Sequence, residues 1–184
     1  MAGHRFERTD ADIQRAFVRV LTEPGFENLG VSELARLSHV DRSTFYAHYG
    51  SISELAEQVV NQWIKRLRSA IEQSLEQSDS RQTNWYKVFL VNLVSQFKGQ
   101  ATVLQKIRLI PLGEKGFDAQ CRRLCAEIYQ DRLEIETNSF SSYLLVNLAM
   151  GDLDFILENR HVPEFSELSD GMKILSKISK QLFQ

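Results

Sequence analysis

The sequence predicts an all-α protein on three observations. Proline is scarce, confined to Pro24, Pro111 and Pro163. Between these positions apolar residues recur at helical spacing, three to four apart. The alternating β-branched runs that mark half-buried strands are nearly missing. With 184 residues and 43% hydrophobic composition, the chain can build one good core or two small ones.

The first helix is expected from about Thr9 to Leu21, where Ile13, Phe17, Val20 and Leu21 fall on one stripe. Glu23-Pro24-Gly25 ends it as a turn, with Phe26 and Leu29 plugging the small core beneath. Gly30 starts a second helix, with Val31, Leu34 and Ala35 inward, and Ser38-His39-Val40 turns the chain. Asp41 sits where an N-cap belongs, able to accept from the backbone N–H of Ser43 or Thr44. Arg42, Ser43 and Thr44 then form the first turn of a third, outward helix. Phe45 and Tyr49, four apart, pack back onto the first helix, and Tyr46 and His48 look elsewhere.

A long helix follows from Ser51 to about Glu76, carrying Leu55, Val59, Ile64 or Trp63, Leu67, Ile71 and Leu75. A domain boundary is expected inside its start, giving units 1–52 and 53–184. Further helices are expected at Trp85–Phe97, Thr102–Ile110 (stopped by Pro111-Leu112-Gly113), Phe117–Leu133, Thr137–Glu158 and Glu164–Leu182. The fifth of these later segments, counted from Ser51, contains SYLLVNLAMGDLDFIL and is apolar on more than one face. Tyr143, Leu144, Asn147, Leu148 and Gly151 line one face; Leu145, Ala149, Leu153 and Ile156 line another. Such a helix is covered on more than one side, and in a small domain the second cover is usually another subunit. Met172 and Leu175 repeat the theme in the last helix, so the two terminal helices can pair with their copies as a four-helix bundle.

Composition narrows the function. Lys plus Arg is 22 and Asp plus Glu is 24, a net charge of −2, so this is no bulk polycation. No apolar run is expected to approach the roughly 18 residues that span a bilayer, and the N-terminal MAGHRFERTDAD has no signal-peptide core. Two cysteines, Cys121 and Cys125, make no disulfide framework, which suits a reducing cytoplasm. They are read as small semi-buried side chains rather than a metal or redox pair, since no His or third Cys lies near to complete a zinc site. HExxH, GxSxG and Gly-rich phosphate loops are not found, so neither enzyme chemistry nor a cofactor is expected.

What stands out is VSELARLSHVDRSTFYAHY, Val31 to Tyr49: two short helices and a tight turn, a helix-turn-helix whose second helix can enter the DNA major groove. Arg42 can bind guanine O6 and N7 together. Ser43 and Thr44 suit either a DNA contact or simple capping. The aromatics Trp85, Phe89, Phe97 and Tyr129, with Cys125, are candidates for an effector pocket and equally what any helical core contains.

The pattern Phe26-x-x-Leu29, Val31, Leu34-Ala35, Val40, Thr44-Phe45-Tyr46-x-His48-Tyr49, Ser51 and Leu55 resembles the N-terminal domain of TetR-family bacterial transcriptional regulators. The resemblance covers about Asp12 to Leu55. It implies a homodimer with a three-helix DNA-binding head and a larger helical bundle for effector binding and dimerisation. It further implies an unidentified small molecule that alters the separation of the two heads on a double-stranded operator, most often relieving repression. By position, Ser32 would touch the DNA backbone or a base edge, Arg42, Ser43 and Thr44 would face the groove, and Tyr46 and His48 would bind phosphates.

Three departures from that pattern matter. Gly30 replaces a common Thr, removing a cap and a phosphate contact. His39 stands where Gly is frequent and tolerates left-handed backbone less well, at a strain of roughly 1 kcal/mol. Ile52 replaces a Lys. Residues 1–52 carry Arg5, Arg8, Arg15, Arg19, Arg36 and Arg42 against seven acids, so the head is not basic overall. An alternative expectation is therefore a protein of this fold with weakened or lost DNA binding, acting through ligand or protein contacts.

Overall fold

The computed structural model describes residues 2–22, 29–77, 99–161 and 163–182. Phe26 and the whole segment holding Trp85, Phe89 and Phe97 lie outside the described residues, as do the side chains of Arg5, Leu75 and Leu182. All regular structure among the described residues is helical: α1 (Ala2–Leu21), α2 (Val31–Leu37), α3 (Arg42–His48), α4 (Ile52–Gln77), α5 (Ala101–Arg108), a 3₁₀ turn (Gly113–Lys115), α6 (Phe117–Leu133), α7 (Phe140–Asn159) and α8 (Phe165–Leu182).

The head is built on the α1 stripe. Ile13, Phe17, Val20 and Leu21 are buried, facing Leu34 of α2 and Phe45 of α3, and Tyr49 just beyond α3 is 1% exposed. α1 begins two turns before the expected Thr9, at Ala2. Those turns lack an apolar stripe of their own and gain their contact from α3, through Phe6. A reciprocal cap starts α4: the Glu54 backbone N–H donates to Ser51 Oγ at 3.1 Å, and Glu54 Oε2 accepts from the Gly50 N–H at 2.8 Å. Along α4, Leu55, Val59, Trp63, Ile64, Leu67 and Ile71 are buried at the expected spacing.

α4 packs on α6, α6 on α7, and α5 on α1, α6 and α7. Cys121, Leu124, Cys125 and Tyr129 of α6 are all buried. A hydrogen bond with the Cys125 thiol, together with burial, holds Cys121 well above the ordinary thiol pKa, as befits an unreactive core thiol. α7 passes the length and composition test for a membrane span, with mean hydropathy 1.3, against the expectation that no run would. Its apolar surplus has a plainer source: Val146, Ala149, Met150, Leu153, Ile156 and Leu157 are core residues.

One polar node fixes α5 in this core. Arg108, its side chain 16% exposed, reaches Asp118 of α6 with Nε at 2.6 Å and Nη2 at 3.0 Å, and Asp154 of α7 with Nη1 at 2.6 Å. Burial alone would lower the guanidinium pKa; the two carboxylates outweigh it and raise it. Gln105 donates to the Leu157 carbonyl at 3.1 Å, and Arg160 donates to Thr102 Oγ1 at 2.9 Å, so α5 is clamped to α7 along its length. Removing Arg108 leaves Asp118 and Asp154 without their shared cation. Arg108→Ala should lower stability by about 1–3 kcal/mol in urea denaturation, whereas Arg68→Ala, which breaks the exposed 2.6 Å pair with Glu127, should change it by less than about 1 kcal/mol.

Candidate nucleic-acid interface and effector cleft

The outward helix α3 is set up locally as its sequence suggests. Asp41 is its N-cap, extended at φ −83° and ψ 167°. Asp41 Oδ1 accepts from the Thr44 backbone N–H at 2.6 Å and from Ser43 Oγ at 2.7 Å. Those bonds, the Thr44 backbone one foremost, hold the Asp41 carboxyl below its ordinary pKa. The cap is thus present at neutral pH and is lost as pH falls through that lowered value. Ser43 is spoken for by the cap, although it stays exposed, and Thr44 is half-buried.

Ser32 and Arg42 are exposed, and Tyr46 is 49% exposed although its neighbour Phe45 is fully buried. Arg42 has no acidic partner among the described residues. By contrast Arg36 is held by Glu33 at 2.7 Å and Arg15 is paired with Asp12, which leaves fewer free cations on the head. His48 departs from its expected place. Its side chain is 3% exposed, and its ring lies 3.8 Å from the Phe6 ring at 17°. As placed here, it does not offer itself to a phosphate; the separation from Phe6 in sequence kept this cover out of sight.

The turn behaves as the residue types require. His39 takes φ 57°, the left-handed region where Gly is favoured. Gly30, at φ −99° and ψ 157°, caps α2 with backbone alone, and a Cβ there would meet nothing within 4 Å. Behind α3, Tyr49 donates its hydroxyl proton to Asp10 Oδ1, and Gln14 Nε2 donates to Tyr49 Oη and to Asp10 Oδ2, each at 2.9 Å. Burial and the Asp10 carboxylate push the Tyr49 hydroxyl pKa up, so the proton stays in place.

The sequence of this head now has its counterpart among known proteins. Residues 13–59 match the family model described as bacterial regulatory proteins, tetR family. The head is thus of the TetR N-terminal type. The whole fold agrees. A TetR-family transcription regulator structure from Shewanella sp. PV-4 superposes with TM-score 0.66 at 16% identity, covering 90% of this chain and 95% of that one. A transcriptional regulator from Aquifex aeolicus VF5 gives 0.58 at 19% identity, covering 91% and 99%. A structure described as a γ-butyrolactone receptor gives 0.55 at 17%, covering 96% and 98%. No curated protein matches the sequence.

A second feature lies among the later helices. A cleft of about 1250 Å³ runs between α7 and α8 down to the end of α6, with Tyr129, Leu133, Leu145, Leu148, Phe155 and Met172 in its walls. Of the expected pocket residues, Tyr129 reaches it and Cys125 does not. Among the expected contact residues of the terminal helices, Tyr143 is 64%, Leu144 53%, Met172 54% and Leu175 50% exposed. Asn147 is engaged within the chain, accepting from Arg122 at 2.8 Å and donating to the Tyr143 carbonyl at 2.9 Å, and Gly151 is exposed.

Two substitutions probe the head. His39→Gly should raise stability by about 0.5–1 kcal/mol and His39→Val should lower it, measured by urea denaturation. Gly30→Thr has the room and backbone for an ordinary side chain. It should change stability by only a few tenths of a kcal/mol while tightening DNA binding in a gel-shift titration, because it adds a hydroxyl at the α2 start.

Proposed function

We propose that this protein is a ligand-responsive transcription repressor that binds a pseudo-palindromic operator as a homodimer in the cytoplasm. The observation that carries the reading is Arg42: an exposed, acid-free guanidinium on the first turn of a capped outward helix. Its planar fork matches guanine O6 and N7, while Ser32, Thr44 and Tyr46 surround it as backbone or base-edge contacts, and Ser43 contributes through the cap. Two heads brought about 34–36 Å apart would read successive major-groove faces.

The dimer is supported by surface that one chain leaves open. Phe140, Tyr143 and Leu144 of α7 and Met172, Ile174, Leu175 and Ile178 of α8 are all at least 47% exposed. A contiguous apolar surface of this kind marks an interaction site, and two copies of α7 and α8 form a four-helix bundle. The effector reading rests on the cleft beside it, which exceeds the roughly 300–1,000 Å³ of ordinary ligand pockets because it is open along α8. One structural neighbour is described as a γ-butyrolactone receptor; a small, mostly apolar molecule also suits these walls. The rival reading, a TetR-fold protein that has lost operator binding, draws on the uncapped Gly30 and the covered His48.

Gel-shift titration against DNA upstream of its own gene separates the two, with salt-sensitive, sequence-specific binding expected and its failure favouring the rival. Arg42→Ala should cost about 5- to 150-fold in affinity for the specific site and little for random DNA; equal losses on both would reduce Arg42 to a phosphate contact. Leu144→Glu and Leu175→Glu should each shift the protein towards monomer in sedimentation velocity.

A further inference from the structure

We propose that Phe6 is a positioning residue that holds His48 under cover, so that His48 reaches DNA only when the first turns of α1 lift. The inference rests on the DNA-binding reading above and adds a control element to it. His48 ends the outward helix, two residues after exposed Tyr46 and six after exposed Arg42, yet its side chain is 3% exposed. The cover is the Phe6 ring, nearly parallel at 3.8 Å and itself 52% exposed.

The remaining surroundings of His48 are Asp10 and Tyr49. Its Nδ1 is buried with no hydrogen-bond partner among the described residues. The nearest acid, Asp10, lies 3.6 Å away with Oδ1 taking the Tyr49 hydroxyl and Oδ2 the Gln14 amide. Tyr49 stands beside the ring at 6.2 Å between centroids. One stacked pair therefore closes the site while an unsatisfied nitrogen opposes closure. Lifting Phe6 exposes a ring that is already half in water, which limits the cost of that step.

The test has two arms. Without DNA, diethyl pyrocarbonate labelling mapped by mass spectrometry compares His48 with exposed His39. His48 should react far more slowly in the wild type and at a rate near that of His39 in Phe6→Ala, whose melting curve checks that it folds; equal rates for the two histidines in the wild type overturn the cover. With upstream DNA, Phe6→Ala should bind about two- to tenfold tighter, the range of one aromatic pair. His48→Ala should abolish that gain in the Phe6→Ala background and change wild-type affinity less than twofold. Weaker binding by Phe6→Ala, or a His48→Ala effect of the same size in both backgrounds, overturns the gate while the operator reading stands. No binding by either the wild type or Phe6→Ala overturns both.

Discussion

A seven-residue helix cannot hold itself in water, and α3 has seven residues. What keeps it is packing on α2 and the burial of Phe45 and Tyr49 in the head's core, closed by the Tyr49 hydroxyl on Asp10 and Gln14 of α1. The Asp41 cap adds order at one end only. Everything the head presents, from Arg42 to Tyr46, is therefore aimed by α1, because the side chains that fix the helix angle are gripped there.

α1 serves a second master. Its other contacts run to α5, which the Arg108 fork, Gln105 and Arg160 tie to α7. A buried ion node of this kind contributes little net stability compared with apolar packing. Its value lies in rigidity, since a guanidinium held by two carboxylates from two helices leaves α5 few other positions. α7 in turn borders the cleft and carries the exposed apolar strip. A contiguous set of packed elements thus joins the exposed apolar strip with the helix that aims α3, while Arg68–Glu127 between α4 and α6 and Lys115–Glu57 between the 3₁₀ turn and α4 are surface pairs of small worth.

Features governed by local chemistry were legible in the sequence. The Asp41 cap, the left-handed His39, the inward Phe45 and Tyr49 and the bounds of α6 follow from neighbours within a few residues. The features that escaped need contacts across tens of residues. Nothing near Phe6 announces that its ring will find His48, so α1 reads as starting at Thr9 when it starts at Ala2. Arg108 looks like an ordinary last-turn cation until Asp118 and Asp154 are folded onto it. The apolar run of α7 is legible in the sequence; its membrane-like hydropathy is masked there by Asp152 and Asp154, which interrupt it.

The last helix constrains what the chain can be alone. From Gly171 to Gln181 every position of α8 is exposed, apolar and polar alike. A helix that buries so little against its own chain gains almost nothing from tertiary packing, which is where most helical stability in proteins originates. Its apolar side, Met172, Leu175 and Ile178, lies at spacings of three, one stripe rather than scattered residues. Tyr143 and Leu144 of α7 are exposed as well. α8 therefore makes physical sense only with that stripe covered, and the cleft it borders acquires its outer wall in the same event. If the proposed pairing and effector reading hold, subunit association and the shape of the cleft are one equilibrium, which a ligand filling the cleft would shift by its differential affinity for the closed form.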